Sequence, residues 1–139
     1  MKRKSMFLAC LLLIMSTYIV IGCTTKMQTR SSASASLGGI NYDQAFRIAT
    51  QAATDAGFTI TTANKDAGLI TATRGGNALL TYNNPAINIT ILDNDGRIDV
   101  NVASTIGGQL VDYGTTARTV SDFCEALQSR RPDATCAIQ

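Results

Sequence analysis

Ile87-Asn-Ile-Thr-Ile-Leu92, then Asp93-Asn-Asp-Gly96, then Arg97-Ile-Asp-Val-Asn-Val102 is the stretch that decides the fold. Ile87, Ile89 and Ile91 recur at a spacing of two, and Ile98, Val100 and Val102 answer them from the following run. Asn88, Thr90, Asp99 and Asn101 alternate with these apolar positions. A period of two with one apolar face reads as a half-buried β-hairpin, here closed by a four-residue loop, Asp93–Gly96. Strands of this kind need a cover on one side and leave the other to water.

The cover is sought on either side of the hairpin. Asn41 can cap a helix, and Gln44, three residues on, completes a capping box. Tyr42, Ala45, Phe46, Ala49, Ala52, Ala53 and Ala56 then share one face at helical spacing, and Gly57 is a natural stop. Phe58–Thr62 and Leu69–Arg74 read as strands joined by the turn material Asn64–Gly68. A further strand is expected over Ala78–Tyr82 and a short one over Gln109–Tyr113. Thr119 is expected to open a second helix with Val120, Phe123, Cys124 and Leu127 inward, ended by Pro132. Helix, strands, helix gives an α+β two-layer domain over residues 40–139, with an antiparallel sheet of three to five strands flanked by an N-terminal and a C-terminal helix. No repeat of 20–50 residues is present.

The start of the chain reads as an address. Lys2, Arg3 and Lys4 form a positive head, and an apolar run from Met6 to Ile21 follows, broken only by Ser16 and Thr17. At roughly 16 residues it is short for a membrane span of ~20 and has the length of a secretory signal. The run ends in Val20-Ile21-Gly22-Cys23. These four residues resemble the lipobox of bacterial lipoproteins: a branched apolar residue, a tolerant position, a small residue and Cys. The resemblance implies a signal peptide over residues 1–22, cleavage before Cys23, and diacylglyceryl transfer to the Cys23 sulfur with acylation of the new amine. A thiol is the nucleophile such alkylation needs, and several acyl chains anchor firmly where one does not. Thr24 after the Cys, where an Asp would favour inner-membrane retention, resembles the outer-membrane pattern, with the body facing the periplasm. Residues 23–39, rich in small and polar side chains, are expected to be the lipidated Cys and a flexible tether holding the body off the membrane.

Cys10 leaves with the signal and Cys23 is lipidated, so Cys124 and Cys136 remain as an even pair in an oxidising compartment. Pro132-Asp133 allows the chain to turn back, and a Cys124–Cys136 disulfide is expected. The spacing is not that of a redox-active C-x-x-C pair. Two thiols without His do not make a zinc site.

The remaining chemistry is sparse. The 139-residue chain has no His and no Trp. Lack of His removes the commonest general base and metal ligand. Three of its 12 Lys and Arg stand in the signal head, so the rest of the chain is near neutral and has no footprint for nucleic acid. Asp93, Asp95 and Asp99 invite a calcium reading, but a twelfth-position Glu is missing, since Ser104 stands there; the turn reading is preferred. Gly75-Gly76 and Gly107-Gly108 lack the spacing of a phosphate loop. Ser104 and Ser121 have no His to activate them, and any carboxylate pair drawn from Asp66, Asp99 and Asp112 is arbitrary. Glu125 is the sole Glu. Tyr113 reads as a half-buried residue at a sheet edge. No catalytic residue, metal or cofactor is assigned.

Ala53-Thr-Asp-Ala-Gly-Phe-Thr-Ile60 with Ala67-Gly-Leu-Ile-Thr71 resembles the helix-grip domains of the C component of the barrel-assembly machinery, small periplasmic lipoprotein domains with a helix packed on an antiparallel sheet. The resemblance covers about a quarter of the body and implies architecture and a general role. No partner-binding residue carries over. The expectation is a non-enzymatic, lipid-anchored interaction or structural module with a membrane attachment and an envelope protein partner. Alternatives are a cell-envelope hydrolase or hydrolase inhibitor, and an exclusion lipoprotein of prophage or plasmid type.

Overall fold

The quoted hairpin is longer and tighter than its apolar core alone implies. In the computed structural model, which describes residues 30–75, 84–106 and 114–139, it comprises β4 (Pro85–Asn94) and β5 (Arg97–Ile106), paired from Pro85↔Ile106 to Asn94↔Arg97. The expected four-residue loop is therefore a two-residue one, Asp95–Gly96. Both residues have positive φ, 53° and 87°. That is the turn whose twist matches the strands it joins, and Asp-Gly is a sequence that adopts it readily. The Asp93 carboxylate accepts a hydrogen bond from the Gly96 N–H at 3.1 Å.

The first helix, α1 (Tyr42–Asp55), begins at the expected box. The Gln44 N–H donates to Asn41 Oδ1 at 2.8 Å, and the Asn41 N–H donates to Gln44 Oε1 at 3.2 Å. Its buried residues, Ala45, Ala49, Ala52 and Ala53, are all small, so the helix can approach the sheet closely. Gly57 takes φ 82° and turns the chain into β2 (Phe58–Asn64) and β3 (Leu69–Arg74).

Two strands enlarge the expected sheet of three to five. Residues 30–37, expected within the tether, form β1 (Arg30–Leu37), and the C-terminal residues form β6 (Thr135–Ile138). Over the described residues the sheet has six strands in the order β2-β3-β4-β5-β1-β6, every pair antiparallel. The described fold thus takes in residues 30–37, ahead of residue 40, and neither helix is its terminal element. The physical reason is burial by small side chains. Ser31, Ala33, Ala35 and Leu37 face inward, while Ser32, Ser34 and Ser36 face out, so the alternation is real although nearly all its members are small.

The second helix, α2 (Thr115–Arg130), starts one turn earlier than Thr119, with Gly114 as its N-cap. Thr116 and Thr119 lie on its buried face beside Val120, Phe123, Cys124 and Leu127. Both helices cover the same sheet face. The core joins Leu37, Ile70, Ile87, Ile89, Ile91, Ile98, Val100 and Val102 to the helix residues named above. The expected strands at Ala78–Tyr82 and Gln109–Tyr113 fall outside the described residues. No described helix is long and apolar enough to cross a membrane.

Candidate functional site

The uncovered sheet face follows from register. Thr71, Asn88, Ala103 and Ser32 stand in one row across β3, β4, β5 and β1; Leu69, Thr90, Asn101 and Ser34 form the next. Neighbouring strands lie about 4.8 Å apart and same-face residues about 7 Å apart along a strand. The result is a lattice of short hydroxyl and amide side chains. The Thr71 hydroxyl donates to Asn88 Oδ1 at 3.1 Å, which locks one lattice point. A shallow trough of about 270 Å³ runs over this lattice, bordered by Ser32, Ser34, Asn88, Thr90, Asn101 and Gln139. The Gln139 N–H donates to the Ser32 carbonyl at 2.8 Å and so holds the C-terminal residue at the trough. Beside it, Leu69 and Leu92 are exposed. A neutral surface offering donors, acceptors and an apolar spot suits recognition of another macromolecule.

A second concavity, about 380 Å³, opens between the helices over Asp55, Asp122, Glu125 and Ser129. Its carboxylates are largely committed. Arg130 pairs with Asp55 at 2.5 Å, and Arg74 pairs with Asp122 at 2.7 Å. The hydrogen bond from Arg130, with its charge, holds the Asp55 carboxyl below its usual range against a smaller opposing effect of burial. Arg74 also donates to the Ala56 carbonyl at 2.7 Å and lies 4.6 Å above the Phe58 ring centre. Arg74 is thus a structural clamp between β3, the α1–β2 turn and α2. Two carboxylates tied down by guanidinium groups are poorly placed to exchange protons with a substrate.

A third cleft, about 330 Å³, lies where β1 begins and α2 opens, between Arg30, Ser31, Gly114, Thr116, Ala117 and Ile138. Just behind it, Ser104 pairs across from Ser31 in the sheet. Ser104 Oγ and Thr119 Oγ1 are buried without a hydrogen-bond partner among the described residues.

The sequence-predicted residues distribute as follows. Cys124 and Cys136 are joined in a disulfide, with Cα atoms 5.9 Å apart, which fastens β6 to α2. Cys23 lies outside the described residues, as do Asp112 and Tyr113. Asp93, Asp95 and Asp99 do not converge: Asp93 caps the turn, and Asp99 accepts from Asn94 and from Arg97. Among the described residues no group of three or more potential ligands gathers for a metal. Asp66 stands in the β2–β3 turn and Asp99 on β5, with β4 between them in the sheet, and Ser121 is exposed on α2. The trough was not foreseen, because Ser32 and Ser34 belong to the stretch read as tether. The signal that could have found them is the strict Ser-x-Ala-x-Ala-x-Leu alternation from 31 to 37.

Comparisons with known proteins add little. No family model and no curated protein matches the chain. Among solved structures, it is similar to the crystal structure of a conserved protein from Geobacillus kaustophilus, at 10% identity, with a TM-score of 0.38, over 77% of this chain and 98% of that one.

Proposed function

We propose that this chain is a lipid-anchored cell-envelope protein, attached through Cys23, whose α+β domain serves as a non-enzymatic interaction module on the periplasmic side of the outer membrane. The observation that carries the reading is the Cys124–Cys136 disulfide, taken with the Val20-Ile21-Gly22-Cys23 box. Disulfides persist in oxidising compartments, and a chain with that box is delivered to one. The uncovered lattice around Asn101 supports the interaction role, since it offers a broad recognition surface with trough, polar groups and exposed leucines on one face.

The test is processing in the cell. Cys23→Ser leaves full-length precursor without palmitate incorporation, whereas the native chain is shortened and labelled. Normal processing of Cys23→Ser refutes the anchor. For the second half of the reading, a photocrosslinker at Asn101 in intact cells joins the chain to an envelope protein, and one at Glu125 on the helical side does not. Equal crosslinking at both positions contradicts the assignment of the face.

A further inference from the structure

We infer that the domain stands on the membrane by one particular end, the end where β1 begins, with anionic lipid headgroups as the surface it meets. The inference rests on the proposed lipidation of Cys23 and goes beyond it, because an anchor alone sets no orientation.

The first argument is reach. Only residues 24–29 separate Cys23 from Arg30, the first residue of β1. Seven Cα steps span at most about 25 Å, and a flexible chain of that length averages about 15 Å end to end. β1 is the second strand in from one side of the sheet, fixed to β5 over all eight of its residues. Arg30 therefore cannot swing free of the body. The end that carries Arg30, Thr105, Ala86 and the opening of α2 is held near the bilayer. The opposite end, with the β4–β5 and β2–β3 turns, lies about 30 Å farther along the strands.

The second argument is charge. At the opposite end, Lys65, Arg97 and Arg131 are paired with Asp43, Asp99 and Asp133. Asp66, Asp93 and Asp95 stand there exposed and in no salt bridge among the described residues, against one exposed unpaired base, Arg47, early in α1. At the β1-start end, Arg30 and Arg118 are exposed and in no salt bridge among the described residues. Arg118 lies in the first turns of α2, whose Gly114, Thr116 and Ala117 share a cleft with Arg30. Among the described residues the unpaired charge is thus acidic in balance at the far end and basic in balance at the near one. An anionic surface attracts the near end and repels the far one, over a range of about 8 Å at physiological salt. A short tether keeps the arginines able to enter that range. Reach and charge favour the same end independently.

The experiment uses the lipidated mature protein, residues 23–139, in vesicles of phosphatidylethanolamine and phosphatidylglycerol. A fluorophore is placed through Ala117→Cys in one sample and Asp66→Cys in another, with the native disulfide left oxidised, and a headgroup-nitroxide lipid serves as quencher. Quenching several-fold stronger at 117 than at 66 is expected, with the difference shrinking in high salt. In Arg30→Glu/Arg118→Glu the difference shrinks likewise, while thermal stability is unchanged because both side chains are exposed. Equal quenching, or stronger quenching at 66, in protein that still floats with the vesicles overturns the orientation and leaves the anchor standing. Protein that fails to float and has an unmodified Cys23 overturns both.

Discussion

Ala33 on β1 stands directly across from Val102 on β5, and each is at most 3% exposed. Through this pair, a segment rich in serine and alanine becomes part of the core. The consequence is testable by truncation. A chain beginning at residue 24 folds cooperatively. One beginning at residue 40 lacks β1, leaves Ile98, Val100 and Val102 without their neighbours, and separates β6 from the sheet; it is expected to be insoluble or unfolded by circular dichroism. Within the longer chain, Ala33→Asp buries an unpaired charge and is expected to cost about 3 kcal/mol or more in urea unfolding. Unchanged stability in that variant contradicts the placement of β1.

Gly68 ends the β2–β3 turn with φ 64°. A Cβ there would overlap the Ile91 carbonyl oxygen and lie 2.8 Å from Tyr42 Oη. The same carbonyl region is fixed, since the Ile91 N–H donates to the Gly68 carbonyl at 2.8 Å and the Tyr42 hydroxyl donates to the Lys65 carbonyl at 2.7 Å. Gly68→Ala is expected to destabilise by about 2 kcal/mol or more. Gly38→Ala, where a Cβ meets nothing within 4 Å, is the control and should be near neutral.

The disulfide closes a loop with a sequence separation of 12. Chain-entropy reasoning gives it about 3 kcal/mol. β6 pairs with β1 over only four residues and is an edge strand, so it should loosen first when the bond is cut. Cys136→Ala, or reduction of the native protein, is expected to lower stability by that amount and to speed hydrogen exchange at the Gln139 amide. Exchange unchanged at Gln139 and faster in β4 contradicts the stapling role.

Acid should weaken the fold in a defined window. Hydrogen bonds from Arg130 to Asp55, from Asn94 and Arg97 to Asp99, and from Arg131 to Asp133 hold these carboxyls below the ordinary value of 3.8. A carboxyl depressed in the folded state contributes stability above its unfolded value, and that contribution is lost as pH falls through the folded value. Urea midpoints should therefore be insensitive to these groups from neutral pH downward until about pH 4, then fall. Asp99→Asn should flatten part of the decline. A decline of the same size in that variant contradicts the assigned cause.

The hairpin and the first helix were legible because their signals are local and large: β-branched side chains at a period of two, and a capping box that closes over three residues. β1 was obscured because its alternation sets Ala against Ser, two small side chains of little difference in hydropathy, so the signal is weak. The start of α2 was obscured by Thr116 and Thr119, hydroxyl side chains on a buried face that break the apolar period. β6 has no periodic signal at four residues; the disulfide and its pairing with β1 position it. The candidate site was less legible still. The trough exists only once Ser34 meets Asn101 and Ser32 meets Ala103, and such register is a tertiary property.

Mass spectrometry of the N-terminal peptide from protein extracted out of native membranes tests the proposed anchor most directly. The account predicts a chain that starts at Cys23 and carries a thioether-linked diacylglyceryl group, with an acyl chain on the new amine. A chain that retains residues 1–22 with a bare Cys23 thiol would contradict it.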